Sequence, residues 1–411
     1  MTQDIGKLSR NGATTAWISE KFLLGLSWRD YVKTLITPLN AAAGLILAIG
    51  LPFIVLRYWR GLGAVTAASD DQPFGLFLSW GLFSGVPMAS TGFLLATAVY
   101  LFGLRDYKPL VRPAVLTGFV GYFFAVVFLL IDLGQPWRLP YPMIRSFGTG
   151  SVLFLVAWHV ALYLSVQFLE FSPAVFEWLE ARKLRAWAVG LTLGATIFGV
   201  ILSTLHQSAL GAMFLLAPGK LHPLWYTPNL PVLFFVSAIF CGLSVVILES
   251  TVIYRLMPNR VDPRNFRVID RLTLGLGKAA AVTMFAYFCL KYLSVAHDDN
   301  WRHLAGPYGP IFLLETFGFV LLPCVLYLAG VRRRNASVVR WAALITVPGV
   351  ILNRLNVTYL ALNWNLPHRE LFHGREMLIV ATVVTIELLA YRWIVNRLPV
   401  HRESSRFADD H

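Results

Sequence analysis

The sequence predicts an all-α, polytopic membrane protein with about ten transmembrane helices. Hydrophobic residues make up 57% of the 411 residues and charged residues only 14%, whereas soluble domains carry about 25% charged residues. Ten apolar segments are each long enough, at roughly 20 residues, to cross a bilayer as a helix. Buried helices of a soluble protein do not explain so many long segments in one chain. We place the helices near residues 38–58, 74–102, 113–132, 149–170, 187–209, 230–254, 273–294, 309–330, 338–359 and 375–395.

The distribution of Lys and Arg predicts the orientation of these helices. Basic residues are frequent in the first 37 residues, in the second, fourth, sixth and eighth loops and in the final tail, and they are sparse in the other loops. The positive-inside rule assigns the basic loops to the cytoplasm. We therefore expect cytoplasmic tails over 1–37 and 397–411, with one membrane domain over 38–396 between them. The net charge of +13 is then a topology signal, and no nucleic-acid partner is expected.

The most informative segment is Ser203–Pro231, where an apolar helix ends in the polar residues His206, Gln207 and Ser208. Unpaired polar groups are costly in hydrocarbon, so such a cluster favours a functional role. An unperturbed imidazole has a pKa of about 6.5 and exchanges protons near neutral pH. A quinone headgroup needs an apolar slot, one or two polar contacts and a proton route. We assign proton exchange to His206 and orientation of the headgroup to Gln207 or Ser208; the alternative is a histidine that only bonds to a neighbouring helix.

Other ionisable residues within the predicted spans are candidates for a surrounding polar network or a proton path. Asp132 begins the motif Asp-Leu-Gly-x-Pro-x-Arg, in which Arg138 could fold back onto Asp132. Arg354 requires a carboxylate partner or a polar ligand at its depth, and Glu315 is the natural partner. For each of these residues the alternative is an ion pair that only holds helices together. The further candidates for the proton path are His159, Glu249, Lys278 and Glu387.

Loops on the side opposite the cytoplasm contain charged and aromatic residues. Lys220, His222 and Trp225 follow the fifth span, and Arg138 lies in the third loop on the same side. Trp and Tyr alone are typical of an interfacial belt, but the charged residues beside them favour a surface that docks a partner protein. Lys291 and Glu376 lie near enough to the membrane surface to snorkel, so we give them less weight.

No metal, cluster or haem site is expected in the chain. The three cysteines, Cys241, Cys289 and Cys324, lie within predicted spans and form no C-x-x-C pair. His159 and His206 are the histidines available for a bis-His haem, but a helical rise of 1.5 Å per residue predicts depths of roughly 15 and 5 Å for them. Because the two ligands of a haem lie at similar depth on facing helices, this pair is a poor candidate.

The chain resembles the NrfD/polysulfide-reductase membrane-subunit family over most of its length, and it is most similar to the ten-helix HybB-type branch. Seven motifs carry this resemblance, and only their combination is specific. They are Thr37-Pro38-Leu39-Asn40, Pro73-Phe74-Gly75-Leu76, Asp132-Leu133-Gly134-Gln135-Pro136, Leu169-Glu170-Phe171-Ser172-Pro173, Leu205-His206-Gln207-Ser208-Ala209-Leu210-Gly211, Lys220-Leu221-His222-Pro223-Leu224-Trp225-Tyr226 and Leu352-Asn353-Arg354-Leu355-Asn356-Val357.

The resemblance implies a haem-free, quinone-reactive subunit in the bacterial inner membrane, one that is not catalytic alone. Such subunits exchange electrons between menaquinone and a ferredoxin-like iron–sulfur protein on the periplasmic side, together with a catalytic or cytochrome subunit. Hydrogen and sulfur metabolism are both compatible with the family. The chain departs from the HybB-type pattern before the last helix, where it contains His368 and His373 and retains Glu376 as an acid.

Two further function classes remain open at this stage. One is a transporter or proton channel that uses Glu249, Lys278 and Glu387 as a relay, although no inverted repeat is evident. The other is a structural anchor that docks an iron–sulfur partner without binding quinone. Among these, a quinone-reactive membrane subunit accounts best for the polar cluster at His206.

Overall fold

The computed structural model describes residues 16–69, 72–366 and 372–402. Within this part of the chain ten helices are long and apolar enough to cross a membrane, which confirms the predicted fold class. The same residues form no β-strand, and one isolated bridge pairs Leu221 with Leu362. The membrane helices are α1 (Pro38–Arg60), α2 (Leu78–Leu101), α3 (Arg105–Asp132), α4 (Val152–Trp178), α5 (Arg182–Leu216), α6 (Leu230–Leu256), α7 (Ile269–His297), α8 (Gly309–Arg332), α9 (Ala336–Leu360) and α10 (Gly374–Arg397).

Successive helices reverse direction, so the bundle has two faces with different connections. The loops after α1, α3, α5, α7 and α9 lie on the face that we call the long-loop face; on the opposite face the connections after α2, α4 and α8 are short, and the one after α6 is longer. The opposite face, which we call the termini face, contains residues 16–37 and 398–402. There Arg397 donates hydrogen bonds to the Phe22 carbonyl and to the Tyr31 hydroxyl, each at 2.7 Å. Both ends of the described chain therefore lie on one face, while their assignment to the cytoplasm stays a prediction.

The ten helices are arranged as two groups of four with one pair at the edge. Helices α2–α5 pack against one another, and so do α6–α9, while α1 packs on α10 beside α3. The two groups meet where α6 contacts α2 and α5, and where α9 contacts α2. Gly242 permits the α6–α2 contact, because a Cβ there would lie 2.2 Å from Ser90 Oγ. The Ser90 hydroxyl then donates to the Ala238 carbonyl at 2.7 Å, a hydrogen bond of the kind that joins membrane helices.

Several membrane helices contain π-helical turns on the long-loop half. Such turns span Leu78–Ser84 in α2, Leu314–Leu321 in α8 and Asn356–Leu360 in α9. A π-turn widens the helix by one residue and is frequent at functional sites. Here two of these turns contain Glu315 and Asn356, whose side chains meet in the interior.

Candidate functional site

His206 lies in a buried polar network between α3, α4 and α5. Its Nδ1 atom is 3.2 Å from the Tyr122 hydroxyl, and the Tyr122 ring stacks edge-on against Tyr163 with ring centroids 4.5 Å apart. Both tyrosines lie near Ser203, whose Oγ has no hydrogen-bond partner among the described residues, and all of these side chains are inaccessible to solvent. We call this set the His206 network; its members are Tyr122, His159, Tyr163, Gln167, Ser203, His206 and Gln207.

The register of the α4–α5 hairpin brings His159 level with His206. The Thr196 hydroxyl of α5 donates to Glu170 Oε1 of α4 at 3.0 Å, and this antiparallel register continues along the hairpin to the two histidines. The two rings are close enough to interact electrostatically. The expectation that they lie at different depths is therefore wrong, because it measured each helix from its own end and ignored the offset between the helix ends. Their depths give no argument against haem.

Two nitrogen atoms of this network are buried without a partner. Among the residues that the structure describes, nothing bonds to His206 Nε2 or to His159 Nδ1. A buried polar atom without a partner is costly, so a native structure that contains two of them has a use for them. An imidazole N–H is a suitable donor to a quinone carbonyl, and a neutral imidazole is a suitable acceptor for a quinol hydroxyl. The donor set therefore fits a quinone headgroup.

The other predicted headgroup residues occupy different positions. Gln207 belongs to the His206 network, and its Nε2 donates to the Val86 carbonyl of α2 at 3.1 Å. Ser208 is half-buried and contributes no side-chain hydrogen bond within the described part of the chain. Asp132 lies at the end of α3, where the buried Arg57 of α1 donates to the carbonyls of Ile131 and Leu133.

Arg138 does not fold back onto Asp132. It is exposed on the long-loop face, and its guanidinium lies 5.6 Å from the centroid of the Tyr141 ring. The cation beside Asp132 is Arg57, from a helix far away in the sequence. The short distance in sequence between Asp132 and Arg138 therefore did not identify the cation that lies beside Asp132.

Glu315 forms the centre of a second buried network, between α7, α8 and α9. Its Oε1 accepts from Asn353 Nδ2 at 2.7 Å, and its Oε2 accepts from Asn356 Nδ2 at 2.6 Å. Trp225 Nε1 also donates to Oε2, at 2.8 Å, and Lys291 Nζ lies 3.9 Å from Oε1. The carboxylate thus has three donors and a cation. We call this set the Glu315 network.

Arg354 joins the Glu315 network indirectly. Its guanidinium donates to Asn353 Oδ1 at 2.6 Å, to Ser237 Oγ at 2.7 Å and to the Phe234 carbonyl at 3.1 Å. It also lies over the Phe234 ring, 3.7 Å from the centroid. The predicted pairing of Arg354 with Glu315 is therefore bridged by Asn353, and the cation that faces Glu315 is Lys291.

The loop after α5 positions its predicted docking residues in two environments. Lys220 is exposed, and its carbonyl accepts from the Asn363 amide at 2.6 Å. His222 and Trp225 are buried, with 3% and 1% exposure, so they lie beneath the surface in this structure. Burial, aided by the neighbouring His303, lowers the pKa of His222 to about 4. His222 is therefore neutral at pH 7, and its Nδ1 accepts from the Leu224 amide at 3.2 Å.

The predicted relay residues Glu249, Lys278 and Glu387 do not meet one another through any described hydrogen bond or ion pair. Glu249 accepts from Tyr391 at 2.5 Å and from Thr117 at 2.8 Å. Glu387 is half-buried on α10, and Lys278 is exposed on the outer surface of α7. Lys278 is thus placed to snorkel, and the three residues form no connected relay within the described part of the chain.

Two residues that the sequence led us to discount are buried in the structure. Lys291 is 2% exposed beside Glu315, and Glu376 is 1% exposed. Glu376 accepts hydrogen bonds from the Thr66 hydroxyl and, at 2.9 Å, from the Leu76 amide. A Cβ on Gly75 would lie 3.0 Å from Glu376 Oε1, so the glycine of the Pro-Phe-Gly-Leu motif permits this approach. Glu376 is buried because the loop after α1 covers the start of α10. The sequence alone does not show how this loop folds.

These features define a multi-pass integral membrane protein with two buried polar networks in its long-loop half. The family model described as "Polysulphide reductase, NrfD" matches residues 64–367, and the chain belongs to the NrfD family. It is 46% identical to a protein of Nitratidesulfovibrio vulgaris over 92% of this chain and 98% of the relative. It is 31% identical to the probable Ni/Fe-hydrogenase 2 b-type cytochrome subunit of Escherichia coli, over 87% and 91% of the two chains. It is 24% identical to the menaquinone reductase integral membrane subunit of N. vulgaris, over 82% and 85%.

Proposed function

We propose that this chain is a quinone-reactive membrane subunit that exchanges electrons between menaquinone and an iron–sulfur partner. The single observation that carries the proposal is the His206 network, in which His206 Nε2 and His159 Nδ1 are buried without a partner among the described residues. The relative named as a menaquinone reductase integral membrane subunit supports the choice of quinone. The iron–sulfur partner, on the periplasmic side of a bacterial inner membrane, and further catalytic or cytochrome subunits follow from the family resemblance.

The residues of the network have separate roles in this proposal. A quinone carries electrons together with protons, and it supplies the redox chemistry at the site. His206 donates or accepts a proton at Nε2, while Tyr122 holds the ring through Nδ1. His159, which at 8% is the more exposed of the two histidines, lies where a headgroup enters from the lipid. Gln207 is held by the Val86 carbonyl and lines the same space.

Arg354, Asp132 and Glu315 take a supporting role in the proposal. The Glu315 network holds α8 and α9 against the loop that contains Trp225, and it thereby shapes the long-loop half of the bundle. Asp132 lies beside Arg57 at the end of α3, the helix that also carries Tyr122. These residues fix the helices around the quinone site, while proton exchange is assigned to His206.

We also propose that the chain holds neither haem nor an iron–sulfur cluster. The Nδ1 atom of His206 faces the Tyr122 hydroxyl, and no group of three candidate metal ligands occurs among the described residues. The purified chain should therefore show no Soret absorption. A Soret band that disappears in both His159→Ala and His206→Ala would replace the quinone assignment with a haem assignment.

The long-loop face is the proposed docking side for the partner. Lys220 and Arg138 are exposed there and give it positive charges, which suit the acidic surface of an electron-transfer protein and increase the rate of encounter. Reversal of both charges should weaken co-purification of the partner more at low than at high salt, because salt screens exposed charges. We also propose that this face lies on the periplasmic side of the membrane.

The test of the proposal is His206→Ala in the complex purified through a tag on this chain. With a water-soluble menaquinol analogue as the probe, turnover should fall by about 10²-fold, the typical contribution of general acid–base catalysis. His297→Ala is the matched control, because His297 is an exposed histidine in the same half of the bundle. Unchanged turnover in His206→Ala, with the partner subunits still present, would contradict the proposal. Absence of any quinone reaction in the unmodified complex would favour a purely structural anchor.

A further inference from the structure

A large cavity opens on the termini face beside α4 and α5. Its volume is about 1370 Å³, and its wall includes residues of the N-terminal segment, of the loop after α6 and of the C-terminal segment. Arg112 and Arg185 lie in this wall with Glu177, at 3.1 and 3.6 Å from the Glu177 carboxylate. The deepest polar member of the wall along α4 is Glu170. Water on the termini face therefore has a route to a carboxylate inside the membrane region.

From Glu170 a file of buried polar side chains continues towards the other face. Tyr163, Gln167 and Glu170 occupy one stripe of α4, spaced three and four residues apart. Thr196, Ser203 and His206 occupy the facing stripe of α5, where Gly199 takes the intermediate position between Thr196 and Ser203. Residues with this spacing lie along one face of a helix. The polar stripe of α4 therefore faces the polar stripe of α5 along the interface between the two helices. We call these side chains the α4–α5 polar file.

Contacts link successive members of the file. The Thr196 hydroxyl donates to Glu170 Oε1 at 3.0 Å, and Gln167 Nε2 donates to the Tyr163 hydroxyl. Tyr163 and Tyr122 both lie near Ser203, whose buried Oγ has no hydrogen-bond partner among the described residues. The Tyr122 hydroxyl then reaches His206 Nδ1. The file thus ends at the His206 network.

Space between the two ends of the file is provided by Gly199. A Cβ on this residue would lie 3.2 Å from Val166 Cγ1 and 4.0 Å from Glu170 Oε1. Glu170 Oε2 and Gln167 Oε1 are both buried and have no partner among the described residues. Such atoms are where a buried water binds. A water here would join Glu170 to Gln167, and the unpaired Ser203 Oγ offers a second such position along the file.

We infer that the α4–α5 polar file carries protons between the termini face and the quinone site at His206. This inference rests on the proposed function. Each quinone that is reduced takes up two electrons, which come from the iron–sulfur partner, and two protons, which arrive through the file; oxidation of a quinol reverses both flows. Glu170 is the entry residue on the termini side. The file covers the residues from Glu170 to His159 on α4, which is about 16 Å at 1.5 Å per residue.

The experiment uses the complex purified through this chain and reconstituted in proteoliposomes, with the menaquinol analogue as substrate. A pH indicator that is trapped inside reports protons in vesicles whose termini face points inward. In the unmodified complex, proton uptake or release should occur on the termini side. Glu170→Gln should slow turnover at least tenfold without changing the affinity for the analogue, and it should abolish the indicator signal. Asp270→Asn is the matched control, because Asp270 pairs with Arg340 on the same face but lies outside the file.

Two further variants keep the inference open to contradiction if Glu170→Gln fails to assemble. Thr196→Val removes the hydrogen bond to Glu170 without a change in charge, and Glu170→Asp should restore part of the proton signal. Normal proton exchange on the termini side in Thr196→Val, or in Glu170→Gln where that variant assembles, would overturn the inference. Protons that appear only on the long-loop side of the unmodified complex would overturn it as well, while leaving quinone reactivity intact. Failure of the unmodified complex to react with quinone would instead refute the proposed function.

Discussion

The two four-helix groups each contain a buried polar network, and the two networks differ in how completely their polar atoms are paired. In the Glu315 network the carboxylate accepts from Trp225, Asn353 and Asn356 and faces the ammonium group of Lys291. In the His206 network both histidines keep a buried ring nitrogen without a partner among the described residues. In the Glu315 network Asn356 Oδ1 and Arg354 Nε also lack a partner among the described residues, but the central carboxylate is fully paired. A network whose central group is paired rigidifies a core, whereas one whose central group is unpaired is costly unless something else completes it. This contrast assigns a structural role to the Glu315 network. It assigns ligand binding and proton exchange to the His206 network.

The largest expected effect is on stability, from Glu315→Ala. This change leaves the buried Lys291 ammonium without its carboxylate, and the loss of one partner of a buried ion pair costs about 3–5 kcal/mol. Thermal unfolding of the detergent-solubilised chain should show a greatly lowered midpoint. The double variant with Lys291→Met should recover part of the loss. An unchanged midpoint in Glu315→Ala would remove the structural role of this network.

A smaller loss of stability is expected from Trp225→Phe. The change removes the indole N–H that donates to Glu315 Oε2, and a hydrogen bond to a charged group contributes about 1.5–3 kcal/mol. The same unfolding measurement checks this, with Trp301→Phe as the control because Trp301 is 46% exposed on the same face. Equal midpoints in the two variants would show that Trp225 contributes only its apolar surface.

The loop that covers the Glu315 network should make stability depend on pH. The pKa of His222 is lowered to about 4 in the folded chain, and it is about 6.5 in an unfolded one. Between these values the unfolded chain binds more protons, so stability is fully present above about pH 6.5 and decreases as the pH falls towards 4. Unfolding midpoints between pH 7.5 and 5 should decrease less in His222→Gln than in the unmodified chain. Parallel pH profiles of the two would contradict this.

The smallest effect is expected from Lys278→Gln. Lys278 is exposed on the outer surface of α7 and takes no part in either network. Surface substitutions usually change stability by less than about 0.5 kcal/mol, and quinone turnover should stay unchanged. A loss of proton-coupled turnover in this variant would restore Lys278 to the proton path and shift that path to the second helix group.

The membrane fold was predictable because each span is a long apolar run that the chain shows directly. Residues within one motif do lie in a common network, as His206 and Gln207 do and as Asn353 and Arg354 do, while their functional roles stay predictions. Partners from distant helices were not predictable: Arg57 replaces Arg138 beside Asp132, and Lys291 replaces Arg354 beside Glu315. The position of a residue along its own helix does not show how far the ends of neighbouring helices are offset from each other. For this reason the predicted depth of His159 relative to His206 was wrong.

One signal in the sequence could have revealed more. The three- and four-residue spacing of Tyr163, Gln167 and Glu170 places them on one face of α4, and Thr196, Ser203 and His206 share one face of α5 with Gly199 between the first two. The hairpin between the two helices is short, so the two stripes had to face each other. By contrast, the burial of Glu376 depends on how the loop after α1 folds over α10, which no local pattern indicates.

The most direct test of the contrast between the two networks is photolabelling of the full chain with an azido-naphthoquinone, followed by mapping of the labelled peptides. The account predicts label near His159 on α4 or near His206 on α5, with loss of that label in the presence of excess menaquinone and in His206→Leu. Label confined to peptides around Trp225 and Asn353, and unaffected by His206→Leu, would contradict it and move the quinone site to the Glu315 network.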